Sequence, residues 1–346
     1  MEKILVWLSG GVDSAVAAYL LKEQWYEVVA WFMKNYVYEE NPNCSTYNDA
    51  NEAIKVAKFL WIEILSFDLR QEYEDKIIKY IYDWYQKWIT PNPDILCNTL
   101  IKFDVFLEKA LEAGFDWIAT GHYARIEENN GEFKLLRWVD YNKDQTYFLS
   151  WLNQYQLSKS LFPIGWMTKP EVRELAKKAW LPNAERPDSQ WLCFVWKVPM
   201  RTFLKKRLPV KKGDIVLMDW TKVWEHDWAY FFTIWQSRGL DINKKAYVVK
   251  IDVQKNLVYV SYDKYEPELV TKHIEVKDWH WIGQEYELPL ECSTKIRYRQ
   301  DPNPSKMKIN DWKIFFSYDQ DQRWVAKWQS VVAYLWDECL GGGIIE

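Results

Sequence analysis

The chain has 346 residues, of which 49% are hydrophobic and 27% charged, and its formal net charge is −4. These values predict a soluble globular protein of two or three domains, and they exclude a basic chain that binds nucleic acid through its overall charge. No apolar run approaches the ~20 residues that span a bilayer, so we expect no membrane segment. The first residues lead into a strand rather than a signal peptide, which predicts a cytoplasmic protein.

Strands and helices alternate in the first part of the chain. The pattern predicts strands at 3–8, 27–33, 63–67 and 117–120, and helices at 13–24, 49–60, 72–84 and 100–113. Such alternation is typical of an α/β fold whose parallel sheet has both faces covered, and whose ligand binds beyond the carboxyl ends of the strands.

The first of these strands ends in Ser9-Gly10-Gly11, and a helix is expected to begin within Val12-Asp13-Ser14. Glycines let a ligand approach the backbone closely, and a helix N-terminus favours an anion. Because no lysine follows the glycines, this is not the Gly-x4-Gly-Lys-Ser/Thr loop. The pattern indicates a phosphate-binding loop, with an ordinary tight turn as the alternative.

The rest of the chain changes character after a charged stretch at 205–213, where we place a domain boundary. A helix is expected at 169–179 with Thr168 as its N-cap. The β-type runs beyond the boundary are 246–253, 257–262, 269–276, 295–299, 312–317 and 330–334. They predict a small β domain followed by a C-terminal barrel or sandwich, with domains at 1–204, 205–270 and 271–346.

Five scattered cysteines, at positions 44, 97, 193, 292 and 339, favour reduced thiols over a disulfide framework. Cys97 falls near the start of an expected helix, where its thiol pKa would be lowered, although a buried structural cysteine fits equally well. Cys193 lies between Leu192 and Phe194, a setting more typical of core packing. Two separated thiols, together with a phosphate-binding loop that activates a substrate with ATP, would nevertheless suit sulfur transfer.

Several blocks of residues, in this order, resemble the bacterial tRNA-specific 2-thiouridylase family. The blocks are Ser9–Ser14, Phe32–Asn35, Thr90–Asp94 with Cys97, Gly121–Arg125, Lys143–Leu149, Asp188–Ser189 with Cys193–Phe194, Arg297–Gln300 and Gly341–Ile345. The resemblance implies a PP-loop (adenine nucleotide alpha hydrolase-like) domain, a small central β domain and a C-terminal β-barrel. It also implies ATP-dependent 2-thiolation of the wobble uridine (U34) of tRNA, through an adenylated uracil and a cysteine persulfide.

The same resemblance assigns residues to roles. The catalytic residues would be Cys97, Cys193 and Asp94, with a transient Cys97–Cys193 disulfide. The ATP-binding residues would be Trp7, Leu8, Ser9, Gly10, Gly11, Val12, Asp13, Ser14, Met33 and Gly121. The tRNA-binding residues would be Asn92, Pro93, Asp94, His122, Lys143, Asp144, Gln145, Arg297, Tyr298 and Gln329. Mg²⁺, with Asp13 as an indirect ligand, and a persulfide donor protein would be required. If the resemblance is set aside, residues 143–145 fit a solvated turn equally well. Residues 297–298 then fit a solvated strand face. We expect no zinc site.

One feature departs from this family: the chain contains 23 Trp and only 12 Gly. Trp25, Trp61 and Trp180 each follow an expected helix, at a site that usually takes a left-handed glycine. The family has glycine at Trp7, Trp31, Trp166, Trp191, Trp196, Trp235 and Trp328, and Trp224 and Trp228 look similar. If about ten of these sites need left-handed or close-approach backbone, the strain of roughly 10–20 kcal/mol rivals an ordinary stability of ~5–15 kcal/mol.

We therefore expect a chain that folds poorly or is inactive. Two other functions stay open: a catalytically impaired tRNA-binding protein, and another PP-loop adenylating enzyme such as an amidotransferase-type synthetase. The pairing of Cys97 with Cys193, without a recognisable glutaminase segment, argues against the second.

Overall fold

The computed structural model of the chain describes residues 1–34, 45–87, 89, 91–140, 143–187, 200–323 and 325–346. Its first seven strands are β1 (Lys3–Trp7), β2 (Glu27–Lys34), β3 (Ile64–Asp68), β4 (Trp117–Ala119), β5 (Arg125–Asn129), β6 (Glu132–Leu136) and β7 (Ser160–Leu161). Five of them form a parallel sheet in the order β3-β2-β1-β4-β7, which confirms the α/β prediction. The strand order reverses between β1 and β4, so the ligand crevice is expected there.

The helices of this region cover both faces of the sheet. They are α1 (Val12–Glu23), α2 (Ser45–Leu60), α3 (Arg70–Tyr73, Glu74–Ile78 and Lys79–Gln86 in succession), α4 (Pro93–Leu96, Cys97–Val105 and Phe106–Glu112 in succession), α5 (Gln154–Ser158) and α6 (Lys169–Lys178). Side chains of β1 alternate between two buried clusters, with Ile4 and Val6 facing α1 and α2, and Leu5 and Trp7 facing α3 and α4. This alternation follows from the pleat of the strand. The expected helix at 169–179 is confirmed as α6, and the Glu171 carboxylate accepts hydrogen bonds from the backbone N–H and hydroxyl of Thr168.

Helix α7 (Met200–Lys205) leads into a four-stranded sheet. Its strands are β8 (Gly213–Leu217), β9 (Lys222–His226), β10 (Tyr247–Asp252) and β11 (Leu257–Ser261), in the order β10-β11-β8-β9. They enclose a small hydrophobic core of their own. The predicted small β domain is thus present, and the sequence-based limits of 205–270 stay a prediction.

The C-terminal part is a closed barrel rather than a sandwich. Its strands are β12 (Val270–Trp281), β13 (Leu290–Lys295), β14 (Asn303–Asn310), β15 (Lys313–Arg323), β16 (Ser330–Leu335) and β17 (Glu338–Ile345). The order β12-β15-β14-β13-β16-β17 is closed by pairing of β17 with β12. The β5–β6 hairpin extends this sheet at β17, so the first part of the chain is physically attached to the barrel.

The strand predicted at 295–299 is wrong. β13 ends at Lys295, and the backbone N–H of Ile296 donates to Oε1 of Gln300, which closes a turn. Arg297 and Tyr298 therefore lie on a turn after β13 and not on a strand face.

The left-handed backbone expected at tryptophans is confirmed at Trp25, Trp61, Trp180, Trp235 and Trp328. Trp220, Trp312 and Trp336 are also left-handed, which the sequence pattern did not predict. Trp7, Trp31, Trp166, Trp224 and Trp228 are not left-handed, so strain from a positive φ does not arise at these sites. Trp191 and Trp196 lie outside the described residues.

Candidate active site

The loop between β1 and α1 has the shape of an anion cradle. Gly10 has φ of 79°, and a Cβ built there would stand 2.5 Å from the carbonyl oxygen of Asp49, so only glycine fits without a shift. The carbonyl oxygen of Gly10 accepts hydrogen bonds from Nδ2 of Asn183 (3.0 Å) and from the guanidinium of Arg186 (2.8 Å). These bonds hold the loop at the carboxyl edge of the sheet and place a cation beside it.

Ser14 fixes the inner side of the same loop. Its buried hydroxyl donates to the carbonyl oxygen of Gly11 (3.0 Å) and accepts from the backbone N–H of Ser9 (3.2 Å). The loop is therefore pre-shaped by its own serines at the first turn of α1, where the helix dipole favours an anion.

Asp13 connects the loop to two distant segments. One carboxylate oxygen of Asp13 accepts from the hydroxyl of Tyr123 and from Nζ of Lys169, both at 2.5 Å. Gly121 packs on the same turn, because a Cβ there would lie 2.7 Å from the backbone of Asp13 and Ser14. The structure thus brings Gly121 to the loop, as the ATP assignment requires. Since Lys169 already neutralises Asp13, this carboxylate fits an indirect, water-mediated role toward Mg²⁺ better than a direct one.

Two indoles fill the carboxyl ends of β1 and β2 next to this loop. Trp7 and Trp31 are buried with ring centroids 4.9 Å apart, and Trp31 stacks on Phe106 at 4.4 Å. Met33 is buried in the same cluster, whereas Leu8 and Val12 lie in the core on the other face of the sheet. The Trp31 Nε1 has no hydrogen-bond partner within the described part of the chain. The indoles occupy space that glycine would leave open.

Helix α4 carries the second group of predicted site residues. Asn92 is its N-cap residue, Pro93 and Asp94 form its first turn, and Cys97 follows one turn later at the start of a π-helical segment. Such segments often mark functional sites. Burial raises the pKa of Asp94 to about 7, and the charge of Lys102 partly opposes this shift. A carboxyl group that titrates near neutral pH can both give and accept a proton.

Lys102 is a site residue that sequence reasoning missed. Its ammonium lies 5.6 Å from the ring centroid of Trp7, and its charge lowers the pKa of both Asp94 and His122. Burial is the larger cause at His122, whose pKa lies well below its ordinary value. The His122 Nδ1 is 2.6 Å from the Thr120 hydroxyl. Lys102 follows Cys97 within the same helix, a spacing that could have drawn attention to it.

The barrel contributes residues to the same region. The segment 146–149, which contains Tyr147, contacts the first turn of α4, where Asp94 lies. Burial raises the pKa of Tyr147 and of Tyr298, and the charge of Asp94 makes a smaller contribution to both. The Tyr298 ring packs 4.4 Å from the ring of Phe148. Gln329 is one residue before Ser330, whose carbonyl oxygen accepts from the Tyr147 hydroxyl at 3.0 Å. The turn at 297–298 and the segment at 329–330 thus face α4.

Residues 143–145 lie between these two halves. The carboxylate of Asp144 is buried, and the side-chain oxygen of Gln145 accepts from the backbone N–H of Tyr123 at 2.8 Å. Both side chains are therefore engaged within the protein. Lys143 is half-buried.

Cys193, the second cysteine to which the resemblance assigns catalysis, lies outside the described residues, as do Asn35, Cys44, Thr90 and Asp188. The Cys97–Cys193 pairing therefore stays a prediction. Cys292 and Cys339 form no disulfide within the described part of the chain. Burial raises the pKa of Cys292 and of Cys339, which agrees with structural roles for these two.

Comparison with known proteins assigns all three parts of the chain. Residues 2–197 match the model of the tRNA methyl transferase HUP domain, 201–262 its PRC-barrel domain, and 271–345 the aminomethyltransferase beta-barrel domain. The fold, together with the loop at Ser9–Ser14, thus defines a PP-loop protein of the class that modifies tRNA.

Curated relatives narrow this class. The tRNA-specific 2-thiouridylase MnmA of Levilactobacillus brevis is 41% identical over 99% of this chain and 95% of the relative. The MnmA of Bacillus subtilis is 39% identical with the same coverage. The chain belongs to the tRNA-specific 2-thiouridylase family.

A solved structure with a lower similarity is the U34-tRNA thiolase NcsA from Methanococcus maripaludis. It is 18% identical with a TM-score of 0.37, covering 59% of this chain and 62% of that one. Within the described part of this chain, no helix is long and apolar enough to cross a membrane.

Proposed function

We propose that this chain catalyses the ATP-dependent 2-thiolation of the wobble uridine of tRNA. The observation that carries the proposal is the convergence of three groups at one edge of the parallel sheet. The pre-shaped loop at Ser9–Ser14 follows β1, and α4, which carries Asp94 and Cys97, packs against Trp7 at the end of that strand. Tyr298 on the barrel turn packs on Phe148, whose segment contacts the first turn of α4. Membership of the 2-thiouridylase family supports the same reaction.

In the first step the loop would bind the phosphates of ATP, with Met33 and Gly121 on the adenosine side. The uracil O2 attacks the α-phosphate and pyrophosphate leaves, which gives an adenylated uracil with a good leaving group. The backbone amides of the loop and Arg186 stabilise the charge that develops on the pyrophosphate. Mg²⁺ would supply further positive charge there, with Asp13 as its indirect ligand.

In the second step Cys193 would carry a persulfide received from a donor protein. Its terminal sulfur attacks the uracil C2 and AMP leaves. The Cys97 thiolate then attacks the inner sulfur of Cys193, so that a Cys97–Cys193 disulfide forms and the delivered sulfur stays on the base. An external thiol must reduce this disulfide before the next turnover. Asp94 lies at the start of α4 with a pKa near 7, which suits proton transfer at the base.

Recognition of tRNA would use Asn92 and Pro93 at the flipped base and Lys143, Arg297, Tyr298 and Gln329 around it. Extrusion of the base costs little free energy because an anticodon-loop base is already unpaired. His122 is buried and neutral, so its contribution would come from a hydrogen bond rather than from charge. Asp144 and Gln145 would support this surface from within. A cytoplasmic location follows from the substrate.

A second candidate function has its own observation. Trp7 and Trp31 fill the ends of β1 and β2, where the family has glycine and where ATP would bind. A chain blocked in this way would bind tRNA without forming AMP.

One assay separates the two functions. The chain is incubated with ATP, Mg²⁺, a persulfide donor and unmodified tRNA, and both 2-thiouridine and AMP are measured. Formation of 2-thiouridine together with AMP supports the enzyme. Binding of tRNA without AMP supports the impaired form, and no binding of tRNA contradicts both.

A further inference from the structure

A buried ion cluster joins the ATP-loop region to the barrel. The Asp144 carboxylate is completely buried, and its Oδ2 accepts from Nζ of Lys295 on β13 at 3.0 Å. The Nε of Arg137 lies 3.5 Å from the same carboxylate, and the Thr146 hydroxyl donates to it at 2.9 Å. We call Arg137, Asp144, Thr146 and Lys295 the interdomain cluster. Its single anion faces two cations that come from different parts of the fold.

The aromatic ring of Tyr334 covers this cluster. Nζ of Lys295 and Cζ of Arg137 each lie 5.5 Å from the centroid of that ring. Lys295 is only 3% exposed, so its charge has little access to water. Removal of the Asp144 charge would therefore leave two cations facing each other in a region of low dielectric constant, and the barrel strand would have to move to separate them.

The interdomain cluster continues to the ATP loop through backbone and side-chain contacts. Gln145, the next residue, exchanges two hydrogen bonds with Tyr123, since its N–H donates to the Tyr123 carbonyl (2.9 Å) and its side chain accepts from the Tyr123 N–H (2.8 Å). The Tyr123 hydroxyl in turn donates to Asp13 in the first turn of α1. On the other side, Lys295 is two residues before Arg297 on the turn that faces α4. One connected set of bonds thus links the loop to the proposed tRNA surface.

We propose that Asp144 is a positioning residue, which fixes the barrel turn at 297–298 relative to the ATP loop by neutralising Lys295. This role rests on the proposed function, because the turn matters only if tRNA binds there. It also gives Asp144 a function other than direct contact with tRNA, since its side chain has no exposure to solvent.

A double-mutant cycle tests this role through the Kd for tRNA, with the Kd for ATP as the control. Asp144→Asn is expected to weaken tRNA binding about tenfold. Addition of Lys295→Met to this variant should restore at least half of the loss in log Kd, because residues in one ionic network are coupled. Lys295→Arg keeps the charge and should bind tRNA like the original chain. ATP affinity should stay within about twofold in all variants that fold. If Asp144→Asn fails to fold, the comparison of Lys295→Met with Lys295→Arg provides the same test.

Additive losses in the double variant, or unchanged tRNA binding in Asp144→Asn, would overturn the positioning role. The positioning role would also be overturned if the Lys295→Arg variant binds tRNA as weakly as the Lys295→Met variant. Failure of the original chain to bind tRNA would instead contradict the proposed function, and the positioning role with it.

A second inference comes from the backbone at the tryptophans. Among the described residues, thirteen other than glycine have positive φ, and all are Trp, Asn or Asp: Trp25, Trp61, Asn130, Trp180, Trp220, Trp235, Asp241, Asn256, Asp278, Asp311, Trp312, Trp328 and Trp336. Asn and Asp are the side chains that tolerate this region, whereas an indole has no such advantage. No Lys or Arg that the structure describes is among them, although the chain has 45 Lys and Arg residues and only 23 Trp.

The helix ends provide an internal comparison. After α4, the N–H groups of Gly114 and Phe115 donate back to Leu111 and Ala110, with Gly114 left-handed. The same pair of bonds closes α1 at Trp25, α2 at Trp61 and α6 at Trp180. This is the Schellman pattern, whose left-handed residue is usually glycine. The three indoles are 83%, 90% and 82% exposed, so packing does not account for their presence.

We infer that the polypeptide made in its source cell carries glycine at the eight left-handed tryptophan positions. A codon that this cell decodes as glycine would produce such a pattern. Peptide mass spectrometry of the protein purified from its source tests this directly, with the peptide that contains Gly114 as the control. We expect the mass of glycine at position 25, 61, 180, 220, 235, 312, 328 and 336, and the mass of tryptophan there would overturn the inference.

Discussion

Replacement of the three helix-terminal tryptophans by glycine should stabilise the first sheet and its helices. A left-handed residue with a Cβ is strained by about 1–2 kcal/mol. Glycine also gives the unfolded chain more conformational freedom, which offsets roughly 0.4–1 kcal/mol of the stabilisation gained by relief of strain. Because the indoles of Trp25, Trp61 and Trp180 are largely exposed, little packing is lost. We therefore expect a net gain of about 0.8 kcal/mol per site, and of about 2–3 kcal/mol for the triple variant if the sites are independent.

The measurement is urea unfolding followed by far-UV circular dichroism, since the substitutions alter tryptophan fluorescence. A triple Trp→Ala variant is the matched control, because alanine removes the indole but retains the Cβ that causes the strain. Gly114→Trp is the reverse control and should lose a similar amount of stability. The strain assigned to a left-handed Cβ is refuted if the triple alanine variant is as stable as the triple glycine variant. It is also refuted if Gly114→Trp leaves the free energy of unfolding unchanged.

Further predictions concern the site. Asp94→Asn should raise stability at pH 8 by roughly 3–4 kcal/mol, because the unfolded carboxyl loses its proton near pH 4 whereas the folded one holds it to about pH 7. In that interval the folded chain binds more protons, so its stability falls as pH rises. The advantage of Asp94→Asn in urea unfolding should disappear at pH 4. Lys102→Met should raise the pKa of Asp94, which lies near its charge, and thus shift the pH–rate profile of thiolation to higher pH; a lower or unchanged midpoint would contradict this. Trp7→Gly with Trp31→Gly should tighten ATP binding measured by calorimetry, whereas Trp84→Gly, outside the loop, should not.

Local patterns were enough to predict four of the five strands of the first sheet, all but β7. The turn at Ser9–Ser14, and the strands and helices on each side of it, follow from apolar periodicity and from glycine within a short segment of chain. The barrel strand at 295–299 was wrong because a single side-chain contact, from Gln300 to the backbone of Ile296, ends β13 early. Pairing of the β5–β6 hairpin with the barrel was not predictable, since it joins residues as distant as Leu136 and Glu338.

The candidate site shows the same limit. The position of Cys97 near the start of a helix could be predicted, because the signals for it lie on one short segment. The burial of Asp144 could not, because its main partner, Lys295, lies 151 positions further along the chain. Polar residues in a loop look solvated until such a partner is known. Lys102 was missed for a related reason, since only the folded structure shows its charge acting on Asp94 and His122 together.

The most direct test is the formation of 2-thiouridine in unmodified tRNA, measured with AMP release, by the chain and by its Trp7→Gly/Trp31→Gly variant. We expect ATP-dependent formation of 2-thiouridine with an equal amount of AMP. The rate should be higher for the glycine variant, and Cys97→Ser should show no turnover. Thiolation that proceeds without ATP would contradict the proposed function. So would tRNA binding with no AMP from either form of the chain.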